Sequence, residues 1–304
     1  MGRRLAEGVR GAGRQPAGAL TLPSLTLLGQ SILSGILIGG LYGLLGLGLS
    51  LAWGLLRQIN LAHFALAFLG AYLTYHLSTV GGMNPLATLV VIVPLFFAIG
   101  VALHWVFTRF GLTEFTSLLV TFGVTVILES LIQWIWTADF RKLESGYGTA
   151  SVRVGTLFVP LVELGALLTT AALAGATWAA LRFTWLGKAM RAAAEDPGMA
   201  AAFGVDHRRL ALLLSGVSAA YAGVAGVFIA LTYTLAPSQI YAWVGVVFAA
   251  VILGGLGNPL GPLVAGIVIG VSEAVTMALT APAWAPLVSF TLLILVLVLR
   301  PDRV

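Results

Sequence analysis

From Gln15 to Leu56 the chain carries no Asp, Glu, Lys or Arg. In water such a run would have to be buried on every side. A bilayer accepts it as helix, because about 20 apolar residues cross the hydrocarbon and a helix satisfies its own backbone groups. The pattern repeats along the sequence. Apolar blocks lie at 25–53, 61–79, 86–107, 115–137, 161–183, 209–232, 241–257, 261–280 and 284–300. The first is overlong and 241–257 is short and glycine-rich, so the fold class expected is an all-α polytopic membrane protein with eight to ten transmembrane helices. Apolar residues come in blocks and not in alternation, which argues against a β-barrel.

Composition excludes the other classes. Of 304 residues, 59% are apolar and 9% charged, against about 25% charged in soluble domains. A soluble enzyme and a disordered chain are ruled out. With no cysteine there is no disulfide scaffold, thiolate chemistry or Cys-held metal. His63, His76, His104 and His207 show no metal-ligand spacing, and no GxxxxGK[ST] phosphate loop occurs. No catalytic residue, cofactor or metal is expected, and any ATP that drives this protein must bind another chain.

The net charge of +5 is no nucleic-acid signal, since the basic residues sit between apolar blocks, where they set topology. One set of alternate loops holds Arg57, Arg109, Arg182, Lys188, Arg191, Arg208, Arg209, Arg300 and Arg303; the other holds Arg141, Lys142 and Arg153. The richer set should be cytoplasmic. Nine spans then put the basic tail, with Arg3, Arg4, Arg10 and Arg14, outside, against the rule. Either 17–56 forms two short spans, or the tail is translocated, or the true start is later. The uncharged run exceeds the roughly 7–15 residues of a signal core, so a cleaved signal is the minor reading.

The expected organisation is a basic tail over 1–23 and one transmembrane domain over 24–304. An outside loop spans 138–160 and a cytoplasmic loop 184–208. The second is alanine-rich, a composition that favours helix, and is broken at Asp196-Pro197-Gly198. It reads as two short helices, with Asp196 capping the second and Pro197 opening it. Two segments, 35–54 and 245–270, each hold seven glycines. They read either as the lining of a transport pathway or as close helix packing. Glu129 and Glu273 lie inside spans, where ionisable groups are functional candidates. Asn60 and His63, three apart, would share a helix face. Trp105, Trp134, Trp136 and Trp284 read as an interfacial belt.

These residues resemble a known family. Gly187–Gly204, GKAMRAAAEDPGMAAAFG, followed by VDHRRL, resembles the coupling loop of branched-chain amino acid ABC transporter permeases. Ala250–Ala274 resembles that family's glycine-rich hallmark, Gly40–Phe64 its first hallmark, and Ser289–Pro301 its last span. The resemblance covers most of the chain from about residue 30. It implies a type II ABC importer-like permease in the cell inner membrane, paired with a second permease subunit. Two cytoplasmic ATP-binding subunits would drive it, and a periplasmic or extracellular substrate-binding protein would deliver substrate. No nucleic acid is involved.

The resemblance also carries over residues. Gly187, Lys188, Arg191, Glu195, Asp196 and Gly204 fall in the loop that docks on the ATPase, with Gly187 allowing close approach. The pathway candidates are Asn60, His63 and Glu273 by this resemblance, and Gly46, Gly254, Gly255 and Gly257 from the two glycine-dense segments. The oxygens of Glu273 are expected to accept from backbone donors or hydroxyls near Gly254–Gly261. The family's His is usually followed by Gly and an acidic residue, where this chain has Phe64 and Ala65, and the basic loop after the third span shrinks to Thr108–Gly111. These departures leave the substrate open among branched-chain amino acids, urea, amides and related solutes. A stand-alone secondary transporter or channel is the alternative, and a non-transporting scaffold the third reading. A secondary transporter has no need for two helices displayed in the 184–208 loop, and a scaffold predicts few intramembrane polar groups and no paired glycine-rich spans.

Overall fold

The computed structural model describes residues 24–299, apart from 112 and 149. The 1–23 tail, Arg300 and Arg303 lie outside the described residues. Nine long apolar blocks become helices close to where the sequence places them: α1 (Leu25–Leu56), α2 (Ala62–Thr79), α3 (Leu89–Arg109), α4 (Glu114–Trp136), α5 (Leu161–Phe183), α8 (His207–Thr232), α9 (Val244–Gly254), α10 (Gly261–Leu279) and α11 (Ala285–Leu299). Two short helices, α6 (Trp185–Glu195) and α7 (Pro197–Ala202), fill the loop before α8. A 3-10 turn, Pro237–Trp243, leads into α9.

Among the described residues seven helical segments are long and apolar enough to cross a membrane. They are α1, α3, α4, α5, α8, the Pro237–Gly254 segment and α10. The 18-residue α2 is enclosed by protein along most of its length, and α11 has 15 residues. The chain is an all-α polytopic membrane protein.

α1 starts at Ser24, whose hydroxyl accepts from Leu27 N, and ends where Arg57 adopts a left-handed φ of 51°. It is one continuous helix of 32 residues, about 48 Å long at 1.5 Å per residue. Two short spans within 25–56 are therefore excluded. The centre of the molecule is α1 with α2 and α8, where Leu44, Leu49, Phe64, Phe68, Tyr72 and Ile229 are all but inaccessible. The outer helices turn apolar side chains outward: Val90 is 78% exposed, Phe115 70% and Val298 74%. An apolar exterior around a small-residue centre is what a lipid solvent permits.

Side-chain contacts sort the connections onto two ends. Gln30 in α1 bonds the backbone of Phe158, Asn84 bonds Tyr147, and Arg141 pairs with Leu235. The start of α1 therefore shares an end with 138–160 and 233–236. The opposite end gathers 57–61, 109–113, 184–206 and 255–260.

The 138–160 segment, read from sequence as a loop, contains a hairpin. β1 (Ser151–Val154) pairs antiparallel with β2 (Leu157–Pro160), in register from Ser151 opposite Pro160 to Val154 opposite Leu157. Gly155 turns it with a φ of 63°. The strands are four residues each, too short to show a period, and anchoring by Gln30 fixes them.

Candidate functional site

The α6–α7 pair stands at the end opposite the hairpin. The Thr184 hydroxyl caps α6 by accepting from Gly187 N at 3.1 Å. One face of α6, with Ala189, Met190 and Ala193, is buried, and Met190 packs with Leu47, Leu51, Ala174 and Leu214. Lys188, Arg191 and Glu195 are exposed on the other. Asp196 Oδ1 accepts from Gly198 N at 2.9 Å and Met199 N at 3.0 Å, starting α7 at Pro197. Gly204 ends the unit with a φ of 83°. Trp185, Met199 and Phe203 are 79%, 57% and 81% exposed. The pair thus offers charged and apolar side chains together, the chemistry of a helix that enters a partner's groove. The expectation for Gly187 needs correcting. A Cβ there would fall 2.3 Å from Leu181 Cα, so its close approach is to α5 of the same chain.

The two glycine-dense segments meet each other. A Cβ on Gly35 would lie 2.5 Å from Val271 Cα, and one on Gly39 2.5 Å from Ile267 Cα. From α10, Gly266 and Gly270 press equally close on the backbone of α1. Gly46 abuts the Pro262 ring, Gly254 abuts Gly261, and Gly257 N donates to Ser50 O at 3.2 Å. Packing accounts for these glycines except Gly257, whose φ is 75° and whose Cβ would meet nothing closer than 3.6 Å. Gly255 differs: its φ is 88° and nothing lies within 4 Å of where its Cβ would be.

Asn60 and His63 do not share a helix face, because α2 begins at Ala62 and leaves Asn60 in the preceding turn. His63 is 1% exposed and donates from Nε2 to Leu45 O at 3.0 Å, one of the bonds that hold α2 on α1. Asn60 Oδ1 is buried with no partner among the described residues.

Glu273 is 9% exposed. Tyr42 donates to its Oε2 at 3.0 Å, and Ser289 Oγ donates to its Oε1. The donors are hydroxyls, as expected, but they come from α1 and α11. The Gly254–Gly261 bend lies about 18 Å away along α10. Trp243 packs edge-on against Tyr42 at 5.9 Å and Tyr233 at 5.3 Å between ring centroids. Burial, then the charges of Glu163 and Glu273, push Tyr233 up to about 12. Glu129 is half-buried and accepts from Tyr241 at 2.7 Å and Gln133 at 3.3 Å.

Tyr42, Ser289 and Tyr241 were not singled out from the sequence. The signal existed, since a carboxylate inside a span needs donors, yet nothing local says which hydroxyls supply them. Trp105, Trp134 and Trp284 are 51%, 81% and 56% exposed, whereas Trp136 is 8% exposed and packs on Tyr72. Two residues is about 200° around a helix, which turns Trp136 inward. Its Nε1, Tyr72 Oη and Arg141 Nε are buried donors without partners among the described residues.

A family model described as branched-chain amino acid transport system / permease component matches residues 31–297. The high-affinity branched-chain amino acid transport system permease protein LivH of Salmonella typhimurium is 26% identical over 297 residues, covering 90% of this chain and 94% of that protein. BraD of Pseudomonas aeruginosa, described in the same words, is 25% identical over 292 residues with the same coverage. A probable branched-chain amino acid transport permease protein LivH of Methanocaldococcus jannaschii is 28% identical over 278 residues, covering 84% of this chain and 83% of its own. No solved structure matches the chain.

Proposed function

This chain belongs to the family of permease components of branched-chain amino acid transport systems, and we propose that it is the membrane-spanning subunit of an ATP-driven importer for branched-chain amino acids. The observation that carries this is the family match over nearly all of the described chain. The displayed α6–α7 pair supports it, because a transporter powered from outside its own chain needs a rigid part to be pushed. In this reading the loop at 184–208 faces the cytoplasm and seats on one of the two ATP-binding subunits. A second permease completes the pathway within the cell inner membrane. A substrate-binding protein delivers its load to the end that carries the β1–β2 hairpin. The chain performs no chemistry itself.

The test is uptake of labelled leucine into proteoliposomes holding this chain, a second permease, ATP-binding subunits and the binding protein. ATP-dependent uptake that vanishes without the ATP-binding subunits supports the proposal. Leucine flux through this chain alone, down its gradient, overturns it in favour of a stand-alone transporter. Competition by urea or amides in the same assay reports the substrate class.

A further inference from the structure

Where the end of α3 meets the start of α8 there is a cavity of about 420 Å³, lined by Gln58, His104, Arg109, His207 and Arg208 among others. Its charge is one-sided. No lining residue is acidic, and neither arginine has a carboxylate partner among the described residues. The carboxylate next to it, Asp206, is committed to Arg209, at 2.9 Å through Nε and 3.1 Å through the backbone N–H. α8 is 26 residues long and begins at His207; its first N–H groups are largely taken, His207 N by Val205 O, Arg209 N by Asp206 Oδ1 and Leu210 N by Asp206 O, so the positive potential at the mouth comes from the two arginine side chains.

A second observation points to a ligand. His104 is 3% exposed, meets Gln58 through Nδ1 at 3.2 Å, and has Nε2 buried with no partner among the described residues. An orphaned ring nitrogen is a costly thing to bury. If the Gln58 amide turns to donate to Nδ1, the ring proton moves to Nε2, and the ring adds an N–H dipole to a wall already lined by two arginines.

The location says what the ligand is attached to. α3 turns Val90, Val93 and Val106 outward along its length, and Trp105 and Phe110 stand exposed beside the cavity. Exposed aromatic residues at a span end mark the headgroup level. An acyl chain on the outer face of α3 would bring its own phosphate to the arginines. We propose that this cavity holds the phosphate of an anionic lipid headgroup, a site separate from the coupling helices and from the Glu273 cluster.

The full chain is reconstituted in nanodiscs of phosphatidylcholine with a minor fraction of phosphatidylglycerol, and retained lipids are counted by native mass spectrometry. The wild type should retain phosphatidylglycerol well above its bulk fraction. Arg109→Gln with Arg208→Gln should weaken that retention about 30-fold. Lys188→Gln with Arg191→Gln removes the same charge from the same end, outside the cavity, and should leave retention unchanged. Equal losses in the two pairs, or no loss in the first, overturn the proposal. If the first pair does not yield monodisperse protein, the wild type decides alone. No preference for phosphatidylglycerol, or full displacement of it by millimolar inorganic phosphate, rejects the lipid. So does its complete release when an ATP-binding subunit docks, which would give the arginines to a protein carboxylate.

Discussion

The hydroxyl of Tyr42 donates to Oε2 of Glu273 across 231 positions of sequence, at 3.0 Å. With Ser289 on the other oxygen, a carboxylate inside the helix bundle is held by two hydroxyls from two different helices. It therefore acts as a clasp between α1, α10 and α11, its two oxygens each supplied with a hydrogen-bond donor.

Glu273→Gln keeps the shape and an acceptor oxygen, so the assembled protein should lose about 1 kcal/mol or less, whereas Glu273→Ala orphans both hydroxyls and should cost about 2–4 kcal/mol. Thermal unfolding in detergent reads the difference. Leucine transport that collapses in Glu273→Gln, with normal assembly and ATP hydrolysis, would give the carboxylate a role in gripping the substrate ammonium instead.

Gly39→Ala places a methyl 2.5 Å from the Cα of Ile267. The seam between α1 and α10 must open, at about 1–3 kcal/mol, with lower yield of folded protein. Gly123→Ala has nothing within 4 Å of its Cβ and should be neutral or stabilising by up to about 1 kcal/mol. Equal melting shifts for the two variants would mean that α1 and α10 are not in contact.

Asp196→Ala removes the acceptor for Gly198 N and Met199 N. A six-residue helix has little else to hold it, and loss of such a cap costs about 1 kcal/mol. Hydrogen exchange at 198–203 should accelerate, while exchange in α8 stays unchanged. Asp196→Asn should restore protection.

Arg191→Glu and Glu195→Arg change exposed side chains that the fold does not use. If α6 seats on an ATP-binding subunit, each should uncouple ATP hydrolysis from uptake by about tenfold or more, without loss of protein from the membrane. Gly204→Glu is the weaker test, because its φ of 83° strains any side chain and could unfold the turn by itself. Unchanged coupling in both charge reversals would leave α6–α7 a structural hairpin.

Nine apolar blocks, the two helices of 185–202 and the cap at Asp196 were all legible in the sequence, because each is a local property: length against bilayer thickness, alanine content, one short side chain before a proline. So were the two glycine-dense segments, as segments. Their relation was not. That Gly39 faces Ile267, that Gln30 ties down a hairpin 128 residues away, and that Asn60 falls outside the helix that buries His63 are matters of how helices rotate and meet. The same limit hid Tyr42 and Ser289, since a hydroxyl in an apolar run looks alike whether it faces lipid or a carboxylate. A lipid solvent explains the division. It makes span length and backbone satisfaction absolute requirements that the chain must meet locally, but it gives no hydrophobic reason for one helix to choose another. Which helices pair is left to close packing and buried hydrogen bonds, and those exist only once the bundle has assembled.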